Sequence, residues 1–101
     1  MLFAFSIAPA TTDDPDGSVS ASVAKAIDVV RRSGVTHRTD AMFTTLEGEW
    51  DECMAVIKEC SDVLLTTSPR VSLVIKADLR PGRTGELDGK LERLNAAIDR
   101  L

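Results

Sequence analysis

The 101 residues predict a single α+β domain spanning 1–101: a ferredoxin-like βαββαβ sandwich with a four-stranded antiparallel sheet and an extra C-terminal helix. Two observations carry that prediction. Segments that alternate every second residue are interleaved with segments at helical spacing, in the order β-α-β-β-α-β-α. Right-handed crossovers then put both internal helices on one face of the sheet. The opposite face is left open, a candidate for packing against a second subunit.

The elements follow in order. Leu2 to Ala8 reads as a strand, with Phe3, Phe5 and Ile7 on one face and Leu2, Ala4, Ser6 and Ala8 on the other. Pro9 ends it. A polar loop from Thr11 to Gly17 leads to Ser18, placed to cap a helix whose apolar stripe is Val19, Val23, Ala26, Ile27 and Val30. Arg31 and Arg32 suit its last turn, and Gly34 stops it. Val35 to Met42 and Phe43 to Glu47 read as the two short strands of a hairpin, although no Asn-Gly or Asp-Gly marks the turn.

The second helix opens at Glu49-Trp50, with Trp50, Cys53, Ile57, Cys60 and Leu64 on one stripe. Glu49, Asp51 and Glu52 suit its first turn, where the helix dipole stabilises carboxylates. Ser68-Pro69 breaks the chain. Val71 to Asp78 is the fourth strand, with Val71, Leu73, Ile75 and Ala77 on one face and Ser72, Val74, Lys76 and Asp78 on the open one. After the basic, turn-rich loop Arg80–Gly85 comes a last helix with the stripe Leu87, Leu91, Leu94, Ile98 and Leu101. Glu86 and Lys90 are spaced there as an i,i+4 pair.

Composition excludes several functions. The net charge is −4, which disfavours binding along a phosphate backbone, so no nucleic-acid partner is expected. The apolar start is too short to span a membrane and lacks the basic flank of a signal peptide, so no membrane partner and a cytoplasmic location are expected. Cys53 and Cys60 stand seven residues apart on one helix, which puts their Cα atoms about 10 Å apart. That is too far for a disulfide, and both read as core residues. His37 is the single histidine, with no spacing around it that suggests a metal site or a catalytic triad. The Arg80–Gly85 loop does not match a phosphate-binding loop. Enzyme activity therefore has little support in the sequence, with no catalytic residues, metal or cofactor implied.

The stretch Thr44-Thr45-Leu46-Glu47-Gly48-Glu49-Trp50 concentrates hydroxyls, carboxylates and the only tryptophan at a strand-to-helix junction. Alternation sends Thr45 and Glu47 to the open face. A carboxylate beside hydroxyls suits a cationic, hydrogen-bonding ligand; a solvated strand of β-favouring threonines suits the same pattern. Trp50 can stack on a ring or pack in the core. Lys76 and Asp78 can anchor a ligand, pair with Glu47, or simply be solvated.

Three segments resemble a known family: Leu2–Pro9 its opening strand, Met42–Glu52 its central motif, and Arg70–Arg80 with Gly82-Arg83 its closing strand. The family is the small thiamine-binding-protein-like one. The resemblance implies a ferredoxin-like fold, sheets packed face to face in homodimers or homotetramers, and binding of thiamine or its hydroxymethylpyrimidine half. Members often carry glycine where Phe43 stands. On this resemblance Ser6, Thr44, Thr45 and Glu47 supply polar contacts, Phe43 or Trp50 stacks on the ligand, and Lys76 and Asp78 orient Glu47 or bound water. The alternative is a structural or regulatory oligomerisation module with no small ligand, its open face filled by side chains such as Phe43.

Overall fold

The structure is a computed structural model describing residues 1–101. Its elements are β1 (Leu2–Pro9), α1 (Ser20–Ser33), β2 (Thr36–Thr39), β3 (Thr44–Glu47), α2 (Trp50–Leu65), β4 (Val71–Asp78) and α3 (Glu86–Asp99). The four strands form one antiparallel sheet in the order β2-β3-β1-β4, the ferredoxin-like arrangement.

Strand β1 alternates as read from the sequence. Phe3, Phe5, Ile7 and Pro9 are buried against the helices, and the residues between them are half-exposed. Leu46, Ala26, Val30, Cys53, Ile57, Cys60 and Leu64 complete the centre of a 13-residue core between the sheet and the α1–α2 layer. Cys60 donates its S–H to the carbonyl of Ala26 at 3.2 Å, tying α2 to α1. Both thiols are free and buried, and burial is the main force pushing each up to about 11. Gly34 ends α1 in the left-handed region at φ 78°, which a side chain would disfavour.

Several boundaries differ from the sequence reading. The first helix starts at Ser20, so its N-cap is Val19 rather than Ser18, whose hydroxyl accepts from the amide of Ser20 at 3.3 Å. The hairpin strands are shorter than expected, four residues each. Their turn is closed by the amide of Asp40 donating to the carbonyl of Phe43 at 2.9 Å. The Glu86–Lys90 pair does not form. Lys90 reaches Asp78 at 2.6 Å, and Glu86 pairs with Arg93 at 2.5 Å and Arg83 at 3.4 Å.

Strand β4 and helix α3 stand apart from the core. Leu73 and Ile75 lie on the helix side of β4, yet they are 40% and 36% exposed, because β4 is the sheet's edge and α1 and α2 centre on β1. In α3 only Glu86 is buried.

Candidate functional site

Unequal strand lengths create the main concavity. Strand β1 has eight residues and β3 four, so β3 pairs with Leu2 to Phe5 and leaves Ser6 to Pro9 paired only with β4. The space beyond the end of β3 is bounded by α1 on one side and by the Asp40–Phe43 turn on the other. It is a cleft of about 740 Å³, within the size of ordinary small-molecule sites. Both faces of β1 reach it, Phe5 and Ile7 from the helix side and Ser6 and Ala8 from the open side.

The walls are largely apolar. Val23 and Ile27 of α1 face Phe43 and Met42 of the turn across the opening. Polar groups are few and placed. The hydroxyls of Thr39 and Thr44 lie 3.1 Å apart and share one hydrogen bond. Asp28 belongs to the rim, but Arg32 holds it at 3.0 Å. Asp40 and Arg31 line the cleft outside any ion pair, leaving one carboxylate and one guanidinium for a ligand. The arrangement suits a flat heterocycle, with an apolar slot for the ring, hydroxyls for its nitrogens, and a carboxylate for an exocyclic amine or a cation.

Of the eight residues expected from the sequence, the cleft brings together Ser6, Phe43 and Thr44. Trp50 lies near the other end of β1, packed edge-on against Phe3 with ring centroids 5.7 Å apart and planes at 73°, the geometry aromatic pairs favour. Thr45, Glu47, Lys76 and Asp78 point from the open face, each in register with Ala4 or Leu2. Strand β1 therefore separates Glu47 from Asp78 by two strand spacings, about 10 Å. The expected orientation of Glu47 by Lys76 and Asp78 does not occur. Both carboxylates are taken by α3 instead. Glu47 accepts from the amides of Glu86 at 2.8 Å and Leu87 at 3.3 Å, and Asp78 pairs with Lys90. The Lys90 hydrogen bond holds Asp78 below its usual range.

Sequence reasoning missed Val23, Ile27, Arg31, Thr39 and Asp40. The first two were read as core because they share the stripe that buries Ala26 and Val30. The signal was the width of that stripe: α1 carries more apolar positions than its contact with the sheet uses. His37 is not among the residues lining the cleft; its Nδ1 lies 2.8 Å from the carbonyl of Val35. No helix is long and apolar enough to cross a membrane.

Known proteins resemble this chain in sequence and in fold. The chain is 44% identical over 92 residues to a UPF0045 protein of Mycobacterium bovis, covering 90% of this chain and 87% of that one. A hypothetical protein of Methanocaldococcus jannaschii has a similar structure, with a TM-score of 0.82, 32% identity, and coverage of 93% of this chain and 94% of that one. A Thermotoga maritima protein described as a candidate for thiamine biosynthesis or salvage is similar at a TM-score of 0.73 and 25% identity, over 90% and 96% of the two chains. The model of the family described as "Thiamine-binding protein" matches residues 3–95, which takes in every strand and both core helices; the chain belongs to that family.

Proposed function

We propose that this chain binds thiamine or its hydroxymethylpyrimidine moiety, without catalysing its conversion, and that it works as a cytoplasmic homodimer or homotetramer. The observation that carries the reading is the cleft itself. It gathers Ser6, Phe43 and Thr44 around an apolar slot of ligand size, in a chain that belongs to the thiamine-binding family. The pyrimidine ring lies between Ile27 and Phe43, its nitrogens meet the Thr39 and Thr44 hydroxyls, and Asp40 takes the exocyclic amine or the thiazolium charge. Binding of this kind needs no cofactor.

Assembly through the open face fits the same site. Ser6 and Ala8 turn one side of the cleft toward that face, so a second sheet packed there closes the ligand in. Val74, 54% exposed on the open face, supports such packing. The two free buried cysteines suit a reducing compartment.

Backbone amide shifts by NMR, followed while hydroxymethylpyrimidine or thiamine is added, test the reading. Shifts centred on Ser6, Ile27, Phe43 and Thr44 are expected. Shifts centred on Thr45, Glu47 and Lys76 would move the ligand to the open face. No shift at millimolar ligand would favour the oligomerisation module without a small ligand.

A further inference from the structure

Arg31 is the one basic residue that lines the cleft, and its own helix gives it no partner. Four residues back stands Ile27 and four residues on stands Val35, both apolar. Three residues back stands Asp28, but Arg32 holds that carboxylate at 3.0 Å. Spacing explains why Arg31 and not Arg32 reaches the cleft. Val23, Ile27 and Arg31 recur every fourth residue, so they share one stripe of α1. Arg32 is turned about 100° away from that stripe and lines no part of the cleft. The helix dipole favours a cation anywhere in this last turn, so it accounts for both arginines but not for the one that ends the cleft-facing stripe.

The cleft therefore carries opposite charges on its two walls. Arg31 belongs to the α1 wall and Asp40 to the wall of the turn, and neither makes an ion pair, with the other or elsewhere. The rest of those walls is mainly apolar, which strengthens the hold of each charge on a complementary group. There is also room for more than a ring. The volume of about 740 Å³ lies in the upper part of the roughly 300–1,000 Å³ typical of small-molecule sites. Arg31 stands one turn beyond Ile27, about 6 Å along the helix.

We infer that Arg31 is a specificity-determining residue that makes the cleft select the phosphorylated form of its heterocyclic ligand. That ligand has an amine or cation at one end and a phosphate monoester at the other. The inference rests on the reading that the cleft binds hydroxymethylpyrimidine or thiamine, whose free hydroxyl is the position that carries the ester. Asp40 takes the amine or the cation. Arg31 takes the phosphate, whose oxygens its planar fork can engage in pairs. A neutral alcohol at the same position leaves the guanidinium without a partner. The net charge of −4 works against anions in general, so selection has to come from a placed cation and not from the overall field.

Calorimetric titration with hydroxymethylpyrimidine, its phosphate monoester and inorganic phosphate tests the inference on the wild type, Arg31→Gln, Arg31→Lys and Lys58→Gln. The wild type is expected to bind the ester at least tenfold more tightly than the alcohol, about what one charge-assisted pair supplies. Arg31→Gln, at an exposed position that does not disturb the core, is expected to bring the two affinities within about twofold of each other. Arg31→Lys, which keeps the charge and loses the fork, is expected to recover part of the preference. Lys58→Gln removes the same charge from α2, away from the cleft, and is expected to keep the preference. Equal binding of ester and alcohol by the wild type would overturn the role of Arg31 and leave the cleft reading intact. A preference that survives Arg31→Gln, or that Lys58→Gln also removes, would overturn the assignment to this residue. Inorganic phosphate that binds as tightly as the ester would make this a free-phosphate site and overturn selection of a phosphorylated heterocycle. No binding of either heterocycle would overturn the proposed function, and the inference with it.

Discussion

Glu47 caps a helix that begins 39 residues later: its Oε2 accepts the backbone N–H of Glu86 at 2.8 Å. The contact joins the strand-to-helix junction to the C-terminal helix. It also divides the molecule's chemistry in two. The open-face carboxylates Glu47 and Asp78 hold α3, while the carboxylate at the cleft, Asp40, makes no ion pair.

These contacts make α3 acid-sensitive. The Arg93 hydrogen bond holds Glu86 below its ordinary 4.5, and the Lys90 hydrogen bond holds Asp78 below its ordinary 3.8. A carboxyl with a lowered folded-state pKa contributes stability above its unfolded value and loses it as pH falls through the folded one. The Glu86–Arg93 pair lies within α3, so attachment of the helix to the sheet depends on Asp78 and is expected to be intact at neutral pH and to weaken below pH 3.8, before the core unfolds. Circular dichroism together with sedimentation between pH 7 and pH 3 reads this directly. Both signals falling together with the Trp50 fluorescence would contradict it.

The cysteines set an opposite, alkaline limit. Both thiols are raised from 9.0 to about 11. A raised pKa gives stability that is full below the unfolded value and declines as pH rises from 9.0 toward about 11. Urea midpoints are expected to be flat up to pH 9 and to fall above it. At pH 8 a thiol reagent is expected to modify Cys53 and Cys60 only as fast as the chain opens.

Phe3 is fully buried and carries the edge contact to Trp50. Replacing it with alanine is expected to cost about 3–5 kcal/mol and to change the Trp50 emission of the folded state. Leu91→Ala, at a half-exposed position on α3, is expected to change stability by less than about 0.5 kcal/mol. Urea titrations at low protein concentration compare the two.

Gly48 joins β3 to α2 in a tight space. A Cβ there would lie 2.9 Å from Glu52 Oε1 and 3.1 Å from Cys53 Sγ. Glu52 is exposed and can swing away, but Cys53 is fully buried and cannot. Gly48→Ala is expected to destabilise by about 1–2 kcal/mol, read as a shift in the urea midpoint with an unchanged slope.

The fold was legible because local patterns were strong. Alternation in Leu2–Ala8 and the 3-4 spacing from Trp50 to Leu64 each mark one period clearly, and the element order then leaves one compact arrangement. The site was legible only in part. Thr44 stood out because the strand-to-helix junction is chemically dense, whereas Ser6 and Phe43, which line the same cleft, entered with the family resemblance. Val23 and Ile27 were hidden because an apolar helix stripe does not say which of its members meet the core and which meet a gap. That gap arises from a difference in strand length, and the hairpin pattern around Val35–Glu47 was too weak to set those lengths. The role of Glu47 as a cap was hidden for a related reason: a carboxylate that caps a distant helix looks, in sequence, the same as one awaiting a ligand.

Calorimetric titration with hydroxymethylpyrimidine of the wild type and of Ala24→Trp tests the central claim most directly. Ala24 is exposed on α1 and lines the cleft, so an indole there fills the slot without disturbing the core. The account predicts saturable binding at one site per chain in the wild type, and at least a tenfold loss in the folded variant. Equal binding by both proteins would place the ligand elsewhere and contradict it.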